Sequence, residues 1–106
     1  MRHYFLILSK DARREMISDE EIVYATVKDK YVQAKLPDQR TVIIRTSLQK
    51  FETSLPPNVF LRIHKSYIVR INFIKYVKNT VIMKTGDELP LSKEFKDDFL
   101  DNFSIF

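Results

Sequence analysis

The chain of 106 residues has no cysteine, no tryptophan and a single glycine. Without cysteine there is neither a disulfide framework nor a Cys-based metal site, so packing must hold the fold. That absence also fits a reducing cytoplasm. With Gly86 as its one glycine, the chain cannot write a GxxxxGKS/T or GxGxxG phosphate loop. The two histidines, His3 and His64, stand far apart and neither pairs at helical spacing with a carboxylate. No metal site and no cofactor are therefore expected. Long apolar runs are missing too. The opening Met1-Arg2-His3-Tyr4-Phe5-Leu6-Ile7-Leu8 is too short to span a membrane, lacks a small-residue cleavage site, and meets Lys10, Asp11, Arg13 and Arg14 at once. It reads as a strand.

Acids are the next conspicuous absence. Residues 53–86 carry Arg62, Lys65, Arg70, Lys75, Lys78 and Lys84 and no Asp or Glu, whereas residues 87–106 carry two lysines and six acids. The whole chain has a net charge of +4. A basic middle beside an acidic tail focuses positive potential on one region, which steers an anionic partner toward it. No amphipathic helix with a basic face accompanies the charge, so a membrane surface is not the expected partner.

At this length residues 1–106 form a single domain. Strands are expected at residues 4–8, 15–17, 22–27, 31–36 and 40–45, where β-branched and aromatic residues concentrate between polar turns. Pro37-Asp38-Gln39 marks the turn of a hairpin. Thr46-Ser47-Leu48-Gln49 has capping-box form, with Thr46 as the cap, and Leu48, Phe51 and Leu55 share one helical face. Pro56-Pro57 ends that helix. Strands follow at residues 73–77, 81–84 and 88–91, and Ser92 caps a final helix whose Phe95, Phe99, Leu100 and Phe103 form a packing stripe. The fold class is mainly β, with small antiparallel sheets, one interior helix and a short C-terminal helix. No helix-turn-helix pair is readable.

The stretch from residue 59 to 70 carries the most chemistry. Val59, Leu61 and Ile63 alternate with Phe60, Arg62 and His64, which is the period of a half-buried strand. Lys65-Ser66 breaks the alternation, and Tyr67-Ile68-Val69 begins a second strand. Arg62, His64, Lys65, Ser66, Tyr67 and Arg70 all donate hydrogen bonds and none is acidic, a set suited to a polyanion. The plainer reading is a solvated strand face with one hydrogen-bonded structural histidine. A nucleophilic Ser66 with His64 as base is unsupported. On one strand face the two lie about 7 Å apart, and no acid is near to orient the imidazole, so the chain is not read as an enzyme.

Phe60-Leu61-Arg62-x-His64-x-Ser66-Tyr67-x-Val69 resembles the signature of the LytTR-type DNA-binding domain of bacterial transcription regulators. The resemblance covers about residues 17–99. Ile22-x-Tyr24 followed by Tyr31 matches the family's early pair of strands, and Leu89-x-Leu91-Ser92-Lys93 its last strand and turn. Thr26 stands where the family usually has Glu, which removes an intradomain contact. Arg70 stands where it usually has Asn, which adds a charge beside the signature.

The resemblance implies an elongated LytTR-like domain, cytoplasmic and bacterial, that binds double-stranded DNA sequence-specifically. Members present loops and strand ends to successive major grooves, and two copies bind paired direct repeats, as a homodimer on DNA. Base reading falls on Lys30, Lys65 and Lys93. Lysine only donates, so guanine O6 and N7 are the expected targets. Arg62, His64, Ser66, Tyr67 and Arg70 are assigned to phosphates or to bracing the signature strand. The receiver domain of many relatives has no counterpart in this chain, which is either free-standing or excised. Two rival readings remain: a module that binds a sensor or regulator protein, and an RNA-binding β domain that stacks bases on Tyr24, Tyr31 and Tyr67. Core packing is the simpler role for those tyrosines.

Overall fold

In the computed structural model, which describes residues 3–9 and 11–106, alternation and turn chemistry produce three antiparallel sheets. Strands β1 (Tyr4–Leu8) and β2 (Arg14–Ser18) pair as a hairpin. Met1, Arg2 and Lys10, which figured in the reading of the first residues, lie outside the described residues. After a 3-10 turn at Asp19–Glu21 come β3 (Tyr24–Lys28), β4 (Tyr31–Lys35) and β5 (Thr41–Ile44). Helix α1 (Leu48–Thr53) separates these from β6 (Phe60–His64) and β7 (Tyr67–Arg70). The five strands form the central sheet in the order β5-β4-β3-β7-β6. A second 3-10 turn, Ile71–Phe73, leads to β8 (Ile74–Val77), β9 (Thr80–Met83) and β10 (Glu88–Pro90), which make the third sheet, and α2 (Lys93–Leu100) follows.

The central sheet, with Val23 just before β3, sends side chains into two cores, one on each face. Ala25, Val32, Ala34, Val42 and Ile68 meet Ile17 of β2 and Leu48, Phe51 and Leu55 of the α1 region on one face. Val23, Ile63 and Val69 meet Val81, Met83, Leu89 and Phe99 on the other. The β1–β2 hairpin approaches β5 and α2 packs on β6, at opposite edges of the central sheet. The long dimension of the 48 × 25 × 24 Å molecule therefore runs across the strands.

Two helix starts differ from the sequence expectation. Ser47, not Thr46, caps α1, its Oγ accepting from the Lys50 amide at 3.1 Å. The Thr46 amide instead turns back to the Ile44 carbonyl at 2.8 Å, which delays the helix by one residue. Ser92 occupies the cap position of α2 but makes no side-chain cap bond, and its hydroxyl is buried without a partner among the described residues. Its backbone amide serves tertiary structure, donating to the Ile63 carbonyl at 2.9 Å.

Candidate nucleic-acid interface

The β6–β7 connection is two residues long, Lys65-Ser66, with His64 paired to Tyr67. Two-residue hairpins usually need left-handed residues to match strand twist. Neither Lys65 nor Ser66 has a positive φ. The register instead shifts between Arg62 and His64, leaving the buried Ile63 as an extra residue. The guanidinium of Arg62 then holds the turn. Its Nε donates to the His64 carbonyl at 2.9 Å, its Nη2 donates to the Lys65 carbonyl, and its Nη1 donates to Glu52 Oε1 of α1 at 2.9 Å. The same group lies 5.7 Å from the centre of the Phe95 ring of α2.

Within the turn the Ser66 amide donates to His64 Nδ1 at 3.0 Å. In the neutral imidazole this fixes the proton on Nε2. The bond comes from Ser66 backbone; its hydroxyl has no hydrogen-bond partner among the described residues. The turn thus replaces the extended geometry expected between these two residues. The His64 ring meets Tyr67 edge-on at 5.7 Å, and Tyr67 lies 6.2 Å from Tyr24. Burial, then the Asp87 charge and Tyr67, push the Tyr24 hydroxyl above its ordinary pKa.

Arg70 points inward. Its Nη1 donates to the carbonyl of Asp19 at 2.9 Å and to Asp19 Oδ2 at 3.1 Å, and its Nε donates to Asn72 Oδ1 at 2.9 Å. Its guanidinium carbon sits 5.4 Å from the centre of the Phe60 ring. Asp19 Oδ1 accepts from the His3 amide at 2.6 Å. Burial raises the Asp19 carboxyl, but the His3 amide and the Arg70 guanidinium outweigh it and hold its pKa below the ordinary value. Thr26, in mid-strand opposite Gln33 and Tyr67, makes no side-chain hydrogen bond among the described residues.

The three lysines converge on one end of the central sheet. The β3–β4 turn closes between Lys28 and Tyr31, and Thr26 pairs with Tyr67, so the β3–β4 and β6–β7 turns leave at the same end. The Val27 amide reaches the Ser66 carbonyl at 3.3 Å. In the strand order the two turns stand two spacings apart, about 10 Å. The Ser92–Ile63 bond brings the start of α2 alongside β6 near that turn. Lys30, Lys65 and Lys93 are all exposed, and none forms an ion pair with a described residue. Asp29, with φ +60°, supplies the left-handed residue that the Lys30 turn requires, a conformation Asp tolerates better than most. Lys28 and Arg45 share this end of the sheet. Sequence reasoning missed both, although counting the β4–β5 register outward from Pro37-Asp38 sets Arg45 opposite Tyr31.

Among the described residues no His, Asp and Glu cluster could hold a metal ion, and no helix is long and apolar enough to cross a membrane.

Residues 12–104 match the family model for the LytTr DNA-binding domain, somewhat more of the chain than the 17–99 read from the signature. The chain is 29% identical over 96 residues to the sensory transduction protein LytT of Bacillus subtilis (strain 168), covering 85% of the chain and 39% of that relative. It is 30% identical over 86 residues to the LytT protein of Bacillus anthracis, covering 76% of the chain and 35% of that relative. It thus spans well under half the length of these relatives. Its fold superposes with a TM-score of 0.82, at 26% identity, on the LytTr DNA-binding domain of a putative methyl-accepting/DNA response regulator from Bacillus cereus. That superposition covers 97% of this chain and 99% of the other.

Proposed function

The chain belongs to the LytTr DNA-binding domain family, and from that premise we propose that it reads specific sequences in double-stranded DNA for a bacterial transcription regulator in the cytoplasm. The observation that carries this reading is the row of exposed Lys30, Lys65 and Lys93 at one end of the central sheet, none in an ion pair with a described residue. A row of donor-only side chains on turns suits guanine O6 and N7 in the major groove. Contacts to successive major grooves on one face of the duplex belong to the same reading, as the family resemblance implies.

The remaining signature residues divide by their surroundings. Arg62 and Arg70 brace the hairpin, because their guanidinium donors already serve protein acceptors. His64 Nε2 and the Ser66 hydroxyl are left to donate to phosphates, which set register without carrying sequence. Tyr67 packs against Tyr24 and His64. That packing also speaks against RNA stacking, since two of the three tyrosines needed have rings committed to each other. In this reading two copies occupy paired direct repeats.

The test is selection from a random duplex library, followed by titration of the enriched duplex, a scrambled duplex and single-stranded RNA. Preference for the enriched duplex by at least about a thousandfold is expected. Equal affinity for all three nucleic acids would remove sequence reading from this account.

A further inference from the structure

Tyr31 opens β4 at the end of the sheet where the Lys30 and Lys65 turns emerge. Two cations stand against its ring. Lys30 Nζ lies 5.5 Å from the ring centre and the Arg45 guanidinium carbon 5.6 Å. The β4–β5 register, with Val32 opposite Ile44, sets Arg45 opposite Tyr31 one residue further on. Arg45 is exposed and forms no ion pair with a described residue. Contact with the ring face favours each cation, yet two positive charges gathered on one ring repel each other, and no acid of the described residues neutralises them.

We infer that Arg45, seated on Tyr31 beside Lys30, binds a DNA backbone phosphate at the flank of the lysine row. This rests on the reading of the domain as a duplex-DNA binder. The phosphate assignment follows from position and geometry. Arg45 lies past the end of β5, on the side of Lys30 away from Lys65, so it extends the contact surface beyond the row. Its planar fork fits two phosphate oxygens at once. A contact there fixes the register of the Lys30 turn on the duplex.

The experiment titrates the wild-type domain, Arg45→Ala and Arg45→Lys against the selected and scrambled duplexes at several salt concentrations. Folding of each variant is checked by thermal melting. Arg45→Ala should weaken both duplexes by about tenfold and lower the slope of log affinity against log salt by about 0.9. Arg45→Lys should keep the slope and lose part of the affinity. Single neutral methylphosphonates placed along the selected duplex locate the contact. At one position the substitution should weaken wild type and Arg45→Lys but add nothing to the loss in Arg45→Ala. If Arg45→Ala keeps wild-type affinity and slope while Lys65→Ala loses affinity for the selected duplex, Arg45 is not a phosphate ligand and the DNA-binding reading stands. Full additivity at every phosphate would overturn the inference equally. If the wild-type domain binds no duplex, the function reading and this inference fall together.

Discussion

The guanidinium of Arg70 and the carboxylate of Asp19 form a buried ion pair, Nη1 to Oδ2 at 3.1 Å, between residues 51 positions apart. The pair joins the end of β7 to the 3-10 turn after β2, and Asp19 in turn holds the His3 amide beside β1. It thus ties the N-terminal hairpin to the strand that leaves the Lys65 turn. Where the resemblance to the family implies Asn, this chain has an interior cation with its counter-ion.

Asp19→Asn should therefore destabilise the domain by about 3 to 5 kcal/mol, because it leaves a buried guanidinium without its charge partner. Urea titration at neutral pH measures the loss. The pH dependence has a defined sign. The folded Asp19 carboxyl lies below its ordinary value of 3.8, so its stabilisation is complete above that value and disappears as pH falls through the lower folded value. The wild-type domain should lose stability on acidification in that window, and Asp19→Asn should lose less over the same interval. Identical acid profiles for the two proteins would mean that the pair contributes nothing to the linkage.

Arg70 also marks what sequence could and could not reveal. The hairpins of the central sheet were legible because alternation, Asp29-Lys30, Pro37-Asp38 and Lys65-Ser66 are local signals. The inward face of α1 was legible from the spacing of Leu48, Phe51 and Leu55. The burial of Arg70 was not, since a lone arginine reads as surface until Asp19 is brought beside it by the fold. Convergence of Lys93 with Lys65 was equally hidden, because it depends on a bond from the Ser92 amide to a carbonyl 29 residues earlier. Arg45 lay between these extremes: its place opposite Tyr31 follows from register, but its contact with that ring does not.

The Arg62 fork predicts an asymmetry between two substitutions. Arg62 reaches the His64 carbonyl, the Lys65 carbonyl and Glu52 with separate donors. Lysine keeps the charge but offers a single ammonium, which cannot span that geometry. Arg62→Lys should lose nearly as much stability as Arg62→Ala, about 1 to 3 kcal/mol each, and both should weaken specific DNA binding. The readouts are urea titration and duplex titration. Full rescue by lysine would show that charge alone matters at this position.

Salt dependence tests the electrostatic share of binding. The acid-free stretch and the exposed lysines imply roughly four to six neutralised phosphates, each lowering the log-log slope by about 0.9. Affinity for the selected duplex should then fall at least about a hundredfold between 50 mM and 200 mM salt. A flat profile in duplex titrations would remove counterion release as a source of affinity.

Lys65 and Arg70 flank one short strand, yet their surroundings assign them different consequences. Lys65 is exposed at the tip of a turn whose carbonyls are held by Arg62, so its ammonium is presented on a fixed backbone with no ion-pair partner among the described residues. Arg70 is enclosed by Asp19, Asn72 and Phe60. Lys65→Ala should leave the melting temperature near wild type and reduce affinity for the selected duplex by about 1 to 3 kcal/mol, with little change on a scrambled duplex. Arg70→Ala should instead lower the melting temperature, because it strands the Asp19 carboxylate in the interior. Any loss of DNA binding in Arg70→Ala should then track the unfolded fraction and shrink when the titration is repeated at a lower temperature within the folded range. The decisive comparison is the ratio of selected to scrambled affinity in each folded variant. If Lys65→Ala loses the same factor on both duplexes, Lys65 neutralises a phosphate, and base reading at this end of the sheet must rest on Lys30 and Lys93.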